Sequence, residues 1–263
     1  MRTILFGLVL AVPMVAITPL LAEEPARPAA QAAPVTPKAA PPIGEQTPPS
    51  PAVARGRADY RRYCQSCHGA LGDGRGPSST HFENVATNFT MGVYKCRSTP
   101  STTLPGDSDL RRSVVDGLAG TGMPSFAALN PQEIDDLVET LKSLSLRFGK
   151  EPQGASIPIA AEPHDAASVG RGALVYDKMK CATCHGAAGE GGPGGANLHN
   201  DDGSKARATD FSRSHSVKCG DSPAQLFQTL MVGLDGTPMS GYGEAMTPDE
   251  AWDLVHFLKS NRR

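Results

Sequence analysis

Two short stretches hold the residues best placed to do chemistry. Cys64-Gln65-Ser66-Cys67-His68 and Cys181-Ala182-Thr183-Cys184-His185 both read C-x-x-C-H. Two thiols at this spacing can add to the two vinyl groups of one porphyrin, and the histidine that follows directly lies under the iron as its proximal ligand. The spacing therefore predicts two covalently bound c-type haems, attached through Cys64, Cys67, Cys181 and Cys184, with His68 and His185 on the irons.

The sixth ligand is read from a second matched pair. Met123 and Met239 follow those histidines by 55 and 54 residues, in Gly120-Thr121-Gly122-Met123 and Gly236-Thr237-Pro238-Met239. A thioether on the iron favours the reduced metal and fills the position a substrate would need. Most methionines are core residues, and Met91, Met179, Met231 and Met246 have no repeated context. Met246 aligns with Leu129 and reads as apolar filler. His81, His199 and His215 are the alternatives to a methionine ligand, and His256 falls on the polar side of the last helix, where it is expected to be solvated.

The elements that position these groups form an internal repeat. The first copy runs over 55–150, the second over 166–263, and 151–165 joins them. Each opens with a helix into the haem motif and continues into a glycine-rich loop, Gly72, Gly74, Gly76 or Gly189, Gly191, Gly192. No Gly-Lys-Ser/Thr follows, so these are not phosphate loops. Asn88-Phe89-Thr90 then matches Asp210-Phe211-Ser212, and Lys95-Cys96 matches Lys218-Cys219. Leu110–Gly117 and Leu226–Gly233 read as short helices. Each copy ends on an amphipathic helix. Asn130 or Thr247 is its N-cap, Pro131 or Pro248 its first residue, and Glu133 or Glu250 completes a capping box. Ile134, Leu137, Val138, Leu141 and Ala251, Leu254, Val255, Leu258 make the buried stripes. Gly56 and Gly172 would let the first and last helices of a copy approach closely.

Composition agrees with a loop-rich protein built round a prosthetic group. Aromatics are 5% of 263 residues, with 28 glycines and 23 prolines. Large flat haems supply apolar core that the side chains lack. Residues 1–22 have a basic start and then no charge, which reads as a signal peptide or an N-terminal membrane anchor. Residues 23–54 carry nine prolines and read as an extended linker. Either way the remainder is expected outside the cytoplasm, in the periplasm, soluble or tethered to the inner membrane.

Cys96 and Cys219 remain, at equivalent positions. A disulfide between them would follow if the copies pack about a pseudo-two-fold axis. Buried free thiols and haem ligation by one of them are the other readings. Zinc is disfavoured, because no second ligand pair follows at zinc spacing.

From about Arg55 to Arg263 the chain resembles the tandem di-haem class I cytochromes c of bacterial periplasms. The resemblance implies an all-α fold of two such domains, each wrapped round its haem. Tyr94-Lys95-Cys96-Arg97-Ser98-Thr99 resembles a subgroup with a Lys-x-Arg-Ser-Thr segment, in which Lys95 and Arg97 would meet haem propionates. The second copy has Gly220-Asp221 where the first has Arg97-Ser98, so that contact is not carried over to it.

The leading functional expectation is single-electron transfer between a periplasmic or membrane donor and an acceptor, with redox proteins as partners and no catalytic residue. The alternatives are a haem enzyme of the thiosulfate dehydrogenase or peroxidase type, kept open by Cys96, and the cytochrome subunit of a larger dehydrogenase. A net charge of −2 with no basic stripe argues against nucleic acid. Residues 55–150 carry 12 Lys and Arg against 10 Asp and Glu, and 160–263 carry 10 against 13. An asymmetry of this size is usually just surface; the sharper reading is that it steers different partners to different ends.

Overall fold

The last helix of each copy forms as its capping residues demand. In α4, Pro131–Leu144, the Glu133 amide donates to Asn130 Oδ1 at 3.0 Å and the Asn130 amide to Glu133 Oε2 at 2.8 Å. In α8, Pro248–Ser260, Thr247 and Glu250 make the same reciprocal pair at 3.2 and 2.9 Å. Both predicted apolar stripes are buried. Proline at the first position sacrifices no hydrogen bond, since that amide has no partner within a helix.

A computed structural model describes residues 49–163, 165–192, 197–213 and 217–261. The expected export segment 1–22, the linker up to residue 48, and His215 lie outside the described residues. The remaining helices are α1 (Pro51–Asp59), α2 (Gln65–His68), α3 (Asp107–Asp116), α5 (Ser168–Lys178), α6 (Ala182–His185) and α7 (Pro223–Val232). Among the described residues there are only isolated β-bridges and no strand. The fold is all-α.

The first helix corrects the linker boundary. Expected to end at Ala54, the linker gives way to helix at Pro51, because Ser50 accepts from the Val53 amide (3.3 Å) and Pro51 sits at the first helical turn. A proline that reads as linker is here a helix start. The chain then winds through a π turn, Tyr60–Cys64, into α2. The second copy has one more residue between its tyrosine and its first motif cysteine, and breaks instead at Lys180, whose φ is +57°. Both routes satisfy the same bond. Tyr60 Oη donates to the Gly69 carbonyl at 2.8 Å, and Tyr176 Oη to that of Gly186 at 2.6 Å.

Within each copy the first helix packs on the last, α1 on α4 and α5 on α8. The crossing points are Gly56 and Gly172. A Cβ there would collide with the Asp136 or Asp253 carbonyl oxygen on the facing helix. The side chains of the same two aspartates accept bidentate bonds from Arg55 (2.6 and 2.8 Å) and Arg171 (2.8 and 2.7 Å). The arginine beside it holds the Asp136 carboxyl below the usual carboxylate range. The cores above these crossings are separate. One gathers Tyr60, Phe89, Leu110 and Leu137, the other Phe227, Trp252, Leu254 and Met246, so Met246 is the apolar filler expected of it.

The described residues nevertheless make one compact unit, within Thr47–Arg263. Cys96 and Cys219 are joined by a disulfide with a Cα–Cα distance of 5.2 Å, closing a sequence separation of 123. The segment 151–165 is not a free linker but an extended strap. Its Gly154 and Ile157 amides donate to the Leu104 and Ser98 carbonyls of the first copy, at 3.0 and 2.8 Å. Its Ile157 and Ala160 carbonyls accept from Gln228 Nε2 (3.2 Å) and Trp252 Nε1 (3.1 Å) of the second. His256, expected to be solvated, is half-buried between this strap and the start of α5. Its Nδ1 lies 2.8 Å from Ser168 Oγ and its Nε2 3.0 Å from Glu162 Oε1.

Three outcomes follow for denaturant unfolding of the holoprotein. Gly172→Ala lowers stability by about 3 kcal/mol, since backbone rather than a flexible side chain blocks the added methyl. Gly170→Ala, two residues away with open space around its Cβ position, raises stability by up to about 1 kcal/mol. Replacing Cys96 and Cys219 together by alanine lowers the unfolding free energy by about 2–5 kcal/mol, the range for releasing a long closed loop. An unchanged midpoint would show that the remaining interface contacts suffice.

Candidate haem sites

Two cavities open beside the C-x-x-C-H segments, of about 1080 and 1150 Å³ including space open to solvent. The first is lined by Cys64, Cys67, His68 and Met123, the second by Cys181, Cys184, His185 and Met239. The structure thus brings each expected set of two thiols, imidazole and thioether to one cavity. None of the four motif cysteines is drawn into a disulfide, so all are available for haem attachment. Of the alternative ligands, His81 and His199 line neither cavity, and His199 Nδ1 faces the carbonyl of Asn197 at 3.1 Å.

Each imidazole is oriented by a backbone carbonyl. His68 Nδ1 lies 3.0 Å from the Thr87 oxygen and His185 Nδ1 3.1 Å from that of Thr209. A carbonyl only accepts, so Nδ1 carries the proton and the Nε2 lone pair is left for a metal. Burial pushes both histidine pKa values down, which favours the neutral, ligating form. Phe89 stacks on His68 with centroids 4.4 Å apart, and Phe211 lies tilted on His185 at 4.9 Å.

The glycine-rich loop closes the back of the site. The Gly74 amide returns to the His68 carbonyl at 2.9 Å, and Gly191 to that of His185 at 2.8 Å. The Phe89 amide bonds the Gly72 carbonyl and the Phe211 amide that of Gly189, both at 2.7 Å. Asn88 and Asp210 hold the next turn, each accepting from the amide two residues on, at 3.0 and 2.9 Å. The methionine loop is pinned by its threonine. Thr121 Oγ1 donates to the Leu118 carbonyl (2.6 Å) and accepts from the Met123 amide (3.1 Å), and Thr237 does the same between Leu234 and Met239 at 2.7 and 3.2 Å.

The residues present fit haem. The donor set is right for covalent attachment and two axial ligands, the imidazole tautomer is fixed, and the surrounding side chains are largely apolar. A bound haem would supply a one-electron iron couple; the chain holds it, orients its imidazole and shields it from water.

Lys95 lines the first cavity, as the Lys-x-Arg-Ser-Thr resemblance implies, but Arg97 lines neither. Arg97 Nε donates to the Pro100 carbonyl of its own copy at 3.3 Å, and its Nη2 reaches across to the second copy. Its Nη2 donates to the Val232 carbonyl (2.8 Å) and pairs with Asp235 at 2.8 Å, and its side chain is fully buried. Asp235 captures it, and also accepts from Ser101 Oγ at 2.7 Å and from the Thr102 amide at 2.9 Å. Burial lowers the Arg97 pKa, and Asp235 partly offsets that. Cys96 is bonded to Cys219, so it offers no thiolate to an iron. The residues that sequence reasoning missed are the Thr87 and Thr209 carbonyls. Their signal was adjacent, since a threonine precedes both Asn88-Phe89 and Asp210-Phe211.

Comparison with known proteins places both copies. A family model described as cytochrome c matches residues 169–262, and one described as cytochrome c oxidase, cbb3-type, subunit III matches 51–139. Cbb3-type cytochrome c oxidase subunits CcoP of Azospirillum brasilense and of Azospirillum sp. strain B510 are each 30% identical over 145 residues, covering 53% of this chain. The chain spans about two fifths of their length, 41%. A chain of the Kuenenia stuttgartiensis reducing HAO-like protein complex Kustc0457/Kustc0458 superposes with a TM-score of 0.76 at 31% identity, over 80% of this chain and 96% of that one. The chain belongs to the cytochrome c family, as a tandem of two domains that each carry a covalently bound c-type haem.

Proposed function

We propose that the protein passes single electrons between partner proteins through two haems, held by Cys64, Cys67, His68 and Met123 and by Cys181, Cys184, His185 and Met239. The observation that carries this is the matched donor set: each cavity gathers one imidazole of fixed tautomer and one thioether, enough to fill both axial positions of an iron. A six-coordinate iron exchanges electrons without binding a substrate. Thiosulfate or peroxide chemistry needs a displaceable or unusual axial ligand, and the thiol that could have provided one, Cys96, is committed to the disulfide.

A second reading concerns assembly. The Kuenenia relative is named as part of a protein complex and the Azospirillum relatives as oxidase subunits. The chain would then work as the electron-transfer subunit of a larger redox assembly, with donor and acceptor docked on its two domains. We place it outside the cytoplasm, in the periplasm, on the strength of residues 1–22; among the described residues no helix is long and apolar enough to cross a membrane.

Absorption and potentiometry of the ferric and ferrous protein test the ligand assignment. The ferric protein shows a methionine-sulfur to iron charge-transfer band from both haems. Met123→Ala removes half of it and Met239→Ala the other half, and each lowers the potential of its own haem, because loss of the thioether removes a ligand that favours ferrous iron. Turnover of thiosulfate or peroxide by the wild-type chain without a partner protein would overturn the electron-carrier reading.

A further inference from the structure

The two cavities meet at a cationic wall. Asn200 and Lys218 line both of them. Lys95 lines the first. The neighbours of these lysines, Cys96 on the first cavity and Cys219 on the second, are bonded to each other, so the two lysine-bearing backbones cannot separate.

Both lysines are half-buried, and neither makes a hydrogen bond or ion pair among the described residues. Burial lowers both ammonium pKa values. The positive charge of Lys95 lowers that of Lys218 further, while Asp202 partly relieves Lys95. No aspartate or glutamate lines either cavity; Lys180 and Arg207 also line the second, but both are exposed and paired, with Asp177 and Glu83, so the uncompensated charge is that of Lys95 and Lys218. Confining like charges near one another in a poorly solvated wall is unfavourable unless an anion sits against them. The carboxylates of a porphyrin are such anions.

We propose that Lys218 and Asn200 form one anion-holding wall used by both haems at once, completed by Lys95 on the first side, so that the two irons sit in a shared field of charge. This rests on the reading of both cavities as haem sites. Lys218 and Lys95 act as positioning and tuning residues and are not iron ligands. A cation beside a haem favours the ferrous state, which carries one positive charge fewer. Lys218 therefore raises both potentials, and Lys95 chiefly that of the first haem.

Potentiometric titration of the holoprotein, followed by visible absorption, reads this directly. Lys218→Gln lowers both potentials, changing each ferrous-to-ferric ratio at fixed applied potential by about three- to tenfold, where tenfold is about 59 mV for a one-electron couple. Lys95→Gln lowers chiefly one. Lys218→Arg stays close to wild type, and exposed Lys150→Gln moves neither. Asn200→Asp puts a negative charge on the same wall and lowers both, which decides the matter should Lys218→Gln fail to assemble. If Lys218→Gln moves only one potential or none while a haemochrome assay still returns two haems per chain, or if Asn200→Asp moves fewer than both, the shared wall is overturned. A wild-type chain carrying fewer than two haems sinks the underlying haem reading instead.

Discussion

A single hydrogen bond in each domain, from a histidine Nδ1 to the carbonyl of Thr87 or Thr209, decides which imidazole nitrogen faces the cavity. Much of the surrounding structure keeps that carbonyl and that ring in register. The glycine loop bonds back to the histidine's own carbonyl, and to the phenylalanine two residues beyond the threonine. That phenylalanine then lies on the imidazole. The ring is thus held along its edge and over its face, so its direction survives small motions of the helix that carries it. The longer helix that leads into it, α1 or α5, is in turn fixed by the crossings at Gly56 and Gly172, where backbone meets backbone, and by an arginine–aspartate fork at each crossing.

What could be read from the sequence was what local chemistry requires of side chains. The attachment cysteines, the histidines, the Gly-Thr-x-Met loops and the Asn130/Glu133 and Thr247/Glu250 boxes all need particular residue types at short spacing, so each leaves a signature. The all-α fold came with the family resemblance that these signatures carry. The orienting carbonyls left none of their own, because any residue has a carbonyl. Arg97 was misplaced because its partner, Asp235, lies far along the chain and has Ala119 as its counterpart in the other copy. The strap over 151–165 reads as a linker because the four bonds that tie Gly154, Ile157 and Ala160 to the two copies are made by its backbone, in a segment whose prolines suggest a lack of packing. The helix face alone puts His256 in solvent; its two partners, Ser168 of α5 and Glu162 of the strap, lie outside that helix.

The interface combines one symmetric bond with several that are not. Cys96–Cys219 joins equivalent residues and could have arisen as soon as two like domains faced each other. Arg97, Ser98 and Asp235 have Gly220, Asp221 and Ala119 at the equivalent positions, so the Arg97–Asp235 pair and the Ser98–Ser156 contact at 2.7 Å to the strap are not repeated in the other copy. A buried guanidinium with one carboxylate partner adds little net stability, but it is costly to mismatch, so it fixes one arrangement of the domains. The domains are therefore alike in how they hold haem and unlike in how they hold each other.

The strap also decides how such a chain can be inherited. Ser98 and Leu104 on one side, Gln228 and Trp252 on the other, all have bonding partners within the same short segment. Ile157 bonds to both halves, through its amide to one and its carbonyl to the other, so a cut beside it falls among contacts of both. Gene fission or domain shuffling finds no clean boundary here, although the repeat in the sequence suggests one. The duplicated unit has become a single heritable part, whose halves can diverge in partner and potential but no longer part company.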